Sequence, residues 1–139
     1  AIRVVFELAR MGDLAAHVAK IARLRFPDSA VPDSLRENFS RMSEVCVAMI
    51  QLANQSLKDR DAVAALRMAE IDHEMDHLRR DHFGVLLGKN WSGSVEQAID
   101  VALLGRYFER FADHAVAVAR RVIYIITGQF PEGEEWPNA

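Results

Sequence analysis

Apolar residues recur along this chain every three or four positions, the spacing that lays one continuous stripe down an α-helix. In the first segment the stripe is Val4, Leu8, Met11, Ala15, Val18 and Ala22, which predicts a helix from about Ile2 to Arg25, stopped by Phe26-Pro27-Asp28. A second stripe, Leu35, Phe39, Met42, Cys46, Met49 and Ala53, follows Pro32, and Ser34 with Glu37 has the spacing of a capping box at its start. A third runs through Ala64, Met68, Ile71, Met75, Leu78, His82 and Val85, starts near Asp61 and ends at Gly88-Lys89-Asn90. His82 is its one polar member.

The fourth stripe is the longest: Leu104, Phe108, Phe111, Ala115, Val118, Val122 and Ile125, with Ser94 and Gln97 spaced as a second capping box. Beside it Ala98, Gly105, Ala112 and Ala119 recur every seven residues, small enough to let another helix come close. Gly128 is the expected C-terminal cap, and residues 129–139 read as a flexible tail. Connections are short, so neighbouring helices are expected to run antiparallel.

An internal repeat organises these four helices. Arg10-Met-Gly-Asp13-Leu-Ala15 matches Arg110-Phe-Ala-Asp113-His-Ala115 at an offset of 100 residues, and Val18 and Ala19 match Val118 and Ala119 in the same register. The first helix therefore reads as the last helix of an earlier copy. The expected fold is all-α: residues 1–26 are the final helix of a truncated first repeat, and residues 33–128 are a complete antiparallel three-helix repeat. The chain opens on Ala1 without an initiator Met, as expected of a piece of a larger protein.

Composition narrows the function classes. The 139 residues are half hydrophobic and 27% charged, with a formal net charge of -3, so a basic face for nucleic acid is not expected. No uncharged apolar run approaches the roughly eighteen residues of a membrane span, so no insertion into a bilayer is expected. The single cysteine, Cys46, falls on an apolar stripe and suits a reducing compartment.

Carboxylates carry the candidate chemistry. Glu109 and Asp113 project from one helical face roughly opposite the core stripe, and Asp72 and Asp76 have the same spacing on the flank of the third helix. Two such pairs on adjacent helices could converge on one hard divalent cation. The plainer reading is a solvated acidic face, with Arg106 and Arg110 making ordinary surface ion pairs. His73-Glu74-Met75-Asp76-His77 also fits the His-Glu-x-x-His pattern of zinc metallohydrolases. Arg80 stands where the longer form of that motif has glycine, and no third ligand sits at a recognisable spacing. A metal-free helical interaction module is the remaining alternative.

Gly105-Arg-Tyr-Phe-Glu109-Arg-Phe-Ala-Asp113-His-Ala, followed by Val118-Ala-Arg-Arg-Val-Ile-Tyr-Ile-Ile-Thr-Gly128, resembles the final helix of the PhoU phosphate-signalling regulators. Ala69-Glu-Ile-Asp72-His-Glu-Met-Asp76-His-Leu-Arg79 resembles the middle helix of the same repeat. The resemblance implies two tandem three-helix bundles, whose Glu/Asp-x-x-x-Asp motifs bind metal at the surface. Asp72, Asp76, Glu109 and Asp113 fill those positions here, for a divalent ion such as iron, zinc, manganese or magnesium. In the first copy Ala9 replaces the leading acid, so Asp13 lacks its partner and a site there is doubtful. The resemblance further implies a cytoplasmic, non-enzymatic regulator, often dimeric. It would act between the phosphate ABC transporter and a sensor histidine kinase, keeping starvation genes off and uptake restrained.

Overall fold

The computed structural model describes residues 2–131; the rest of the tail expected over 129–139 lies outside them. It contains four α-helices and, among the described residues, no strand. They are α1 (Ile2–Arg25), α2 (Arg36–Asp59), α3 (Ala62–Leu86) and α4 (Val95–Thr127), with a short 3-10 turn at Asp33–Leu35 before α2.

The helix ends follow local chemistry. The Asp61 carboxylate accepts hydrogen bonds from the Val63 and Ala64 amides at the start of α3. The Ser94–Gln97 capping box forms in full at the start of α4. Such caps are each worth about 1 kcal/mol. Gly128 ends α4 at φ 76°, its N–H bonded to the Tyr124 carbonyl. At the other expected capping box the structure differs: Asp33–Leu35 winds as a 3-10 turn, and α2 starts without a side-chain cap. Ser34 lies inside that turn and Leu35 takes the N-cap position of α2, so Ser34 is not placed to close on Glu37.

Cross-helix contacts fix the topology. Asn38 with Leu78 and Arg41 with Glu74 run α2 antiparallel to α3. Arg79 with Glu109 and His82 against Gly105 do the same for α3 and α4, and Glu7 with His114 and Arg25 with Asp100 for α1 and α4. The repeated segments therefore pack directly on each other. Helix α4 touches all three others, while α1 rests on α4. Long methionines, Met42, Met49, Met68 and Met75, fill the space between α2, α3 and α4. Ala112, Ala115 and Ala119 let the backbones close in around them. Burial of Ala112, Ala119 and Gly105 matches the seven-residue small stripe read from the sequence.

Helix α1 departs from its expected stripe. Val4, Met11 and Leu14 are buried, whereas Ala15 and Ala22 face out, because this helix packs mainly against α4. Val5, Phe6 and Leu24 are left exposed on it. A shallow groove of about 250 Å³ lies between α1, α2 and α4, bordered by Leu14, Val18, Cys46, Val47 and Phe111. Cys46 is buried there, and burial pushes its thiol up to about 12. It behaves as a small hydrophobe, as its stripe position implied.

Candidate metal centre

The four acids expected to bind metal sit on the contact between α3 and α4, and their environments differ sharply. Asp72 is buried, with 8% of its surface exposed. Its carboxyl is raised to about 6, first by burial and then by the charges of Asp76, Asp113 and Glu109, with His73 opposing. Those charges reach Asp72 from its own helix and from α4, so both i, i+4 pairs address one patch. Asp113 is exposed, yet the packing around it removes enough water to push its carboxyl up, with the Glu109 charge adding to the shift. Asp76 is exposed.

Glu109 is the departure. The stripe arithmetic turned it toward solvent, but its side chain is only 13% exposed, tucked beneath two arginines. Arg79 donates from α3 to Oε1, and Arg106 donates to Oε2 at 2.6 Å. The Arg106 pair was legible from the i, i+3 spacing. The Arg79 pair was not, because it depends on the stagger of two helices that no local pattern encodes. Among the described residues, no group of three or more His, Cys, Asp or Glu side chains is already gathered around one point as a bound ion needs. The donor chemistry nevertheless fits a divalent cation: four carboxylates share a patch in which one of them already holds its proton unusually tightly.

The other candidates separate from this patch. Asp13 is exposed on α1 and pairs with Arg10 at 3.4 Å. Within the His-Glu-x-x-His segment, His73 and His77 are both exposed, and Glu74 lies in a two-bond pair with Arg41 at 2.5 and 3.0 Å. A glutamate held by a guanidinium is poorly placed to take a proton from water. His82, by contrast, is completely buried between Phe39, Phe83 and Gly105. Neither of its ring nitrogens meets a hydrogen-bond partner, and burial pulls its pKa down. It is a core group at the α3–α4 contact. Three long-range pairs tie α1 to α4: Glu7 with His114 at 2.5 Å, and Arg25 both with buried Asp100 at 2.6 and 3.1 Å and with Glu96 at 2.8 Å. None of them follows from the apolar stripes.

Comparison with known proteins agrees with this architecture. The family model described as PhoU domain matches residues 39–122. The chain is similar to the phosphate-specific transport system accessory protein PhoU homolog 1 of Mycobacterium leprae, with 45% identity over all of this chain and 63% of that protein. It is likewise similar to PhoU homolog 2 of Mycobacterium tuberculosis, with 47% identity over 94% of this chain and 62% of that protein. The PhoU homolog of Deinococcus radiodurans is 32% identical over 88% and 57%, respectively. The chain thus spans about three fifths of the length of these curated relatives. No solved structure matches.

Proposed function

Because this chain belongs to the PhoU family, we propose that it is the metal-binding part of an accessory regulator of phosphate transport. In this reading it catalyses nothing. It links the phosphate ABC transporter to a sensor histidine kinase in the cytoplasm, so that starvation genes stay off and uptake is restrained while phosphate is plentiful. The metal is a divalent ion held by Asp72, Asp76, Glu109 and Asp113.

One observation carries the reading: a carboxyl buried at 8% exposure, near Asp76 on its own helix and Glu109 and Asp113 across the α3–α4 contact, with its proton retained to about pH 6. Concentrating like charge at a buried position costs stability, and a divalent cation converts that repulsion into ligation. A merely solvated acidic face would have no reason to bury Asp72. The names of the relatives, all accessory proteins of phosphate transport, supply the pathway. No described helix is long and apolar enough to cross a membrane, which accords with an accessory role beside a transporter.

The test belongs in the full-length protein in cells. Asp76 and Asp113 are both exposed, so replacing them with Asn should leave the melting temperature nearly unchanged. That double variant should leave a phosphate-starvation reporter switched on in phosphate-rich medium. Full repression by a normally folded variant would remove the acidic patch from the regulatory account.

A further inference from the structure

We propose that Arg79 is a latch on the metal centre, holding Glu109 away from the other carboxylates until a divalent cation displaces it. The proposal rests on the metal-binding reading above and adds a regulatory residue to it.

Both oxygens of Glu109 are engaged, Oε1 by Arg79 from α3 and Oε2 by Arg106 from its own helix. A carboxylate whose oxygens each accept from a guanidinium has little to offer a metal, and a nearby guanidinium repels the incoming cation. Among the described residues, Asp72, Asp76 and Asp113 form no ion pair with Lys or Arg. Three of the four acids therefore have no ion-paired Lys or Arg, and Glu109 alone is held back.

Of the two arginines, Arg79 is the one that can couple metal to structure. Arg106 sits one turn from Glu109 on the same helix, so its pair can form in any packing of α4. Arg79 crosses from α3, so its pair exists only while the two helices keep this stagger. Arg79 also has a second seat: its guanidinium carbon lies 5.9 Å from the centroid of the Phe83 ring, one turn further along α3. A released Arg79 can stay over that ring as a cation–π contact without a long excursion into solvent. Arg79 and the metal then compete for the Glu109 carboxylate.

The experiment titrates Mn²⁺ calorimetrically into the wild type, Arg79→Met and Arg110→Met, after melting curves establish that each is folded. Arg110 lies near Asp113 and contributes charge without holding Glu109. The latch requires Arg79→Met to bind roughly tenfold more tightly than the wild type, while Arg110→Met gains clearly less. Equal or weaker binding by Arg79→Met, with the wild type still binding, overturns the latch and leaves the metal reading standing. Equal gains from both variants overturn it too, by reducing the effect to net charge. Binding in none of the three removes the metal reading and the latch with it. Nitrogen-15 spectra of the wild type give a second readout that does not depend on variant folding. The Arg79 side-chain Nε–H signal should move as Zn²⁺ is added, and a signal unmoved at saturation overturns the latch.

Discussion

Asp72 is charged at a position that disfavours charge, and the consequence is a definite pH dependence. In the folded, metal-free protein its carboxyl keeps its proton to about 6, against 3.8 for the ordinary group. The folded state thus binds more protons than the unfolded chain between those values. Any contribution from this carboxyl is most favourable below 3.8 and is lost as pH rises through 6. Above that range the penalty is at most about 3 kcal/mol. Asp72→Asn in metal-free protein should therefore melt higher than the wild type near neutral pH, with the gap closing at about pH 4. A gap that stays constant with pH would mean that burial of the charge costs nothing. Gly105 offers a second residue-scale test. A Cβ there would overlap the ring of fully buried His82, at Cε1 and Nε2. Gly105→Ala gains about 1 kcal/mol of helix propensity but overpacks the seam by about 1 to 3 kcal/mol. It should lower the melting temperature in the wild type and raise it in a His82→Ala background. A loss of the same size in both backgrounds would place the strain elsewhere.

At the scale of elements, α4 organises the molecule: it receives α1 on one side and the α2–α3 hairpin on the other. Its caps, its small-residue stripe and its core stripe as far as Val122 were legible, because each is a local pattern with a helical period; Ile125, the last expected stripe position, is exposed near the end of the helix. Burial of His82 and Cys46 was legible for the same reason. What escaped depended on the stagger of one helix against another. Glu109 was placed outward from the stripe of its own helix, yet Arg79 of α3 folds it under. Asp72 was placed on a flank, but the close approach of α4 buries it. The Ser34–Glu37 spacing promised a cap that the 3-10 turn after Pro32 denies. Helix α1 is held at its C-terminal end by the Arg25–Asp100 pair, in which Asp100 is nearly buried. Asp100→Asn should loosen that end, read as faster hydrogen exchange of the α1 amides with α4 unaffected. Unchanged exchange in α1 would mean that Val4, Met11 and Leu14 alone anchor it.

For the whole molecule, two features wait for something outside these residues: the uncovered face of α1 and the acidic patch. Val5, Phe6 and Leu24 are exposed on a helix that rests mainly on α4. Exposed apolar surface of this kind drives association. The chain as given should show an average mass that rises with concentration by light scattering; one monomeric mass across a wide range would contradict that. The repeat of α1 in α4 was visible as a sequence match, and the direct packing of the two copies gives it a structural meaning. Whether the acidic patch is a ligand set is the central question. Mn²⁺ calorimetry, comparing protein purified without chelator and then stripped with its Asp72→Asn, Asp113→Asn double variant, addresses it most directly. The wild type should bind saturably, and the double variant should lose at least tenfold in affinity, about 1.4 kcal/mol or more. Equal binding by the two proteins, or none by the wild type, would contradict that expectation.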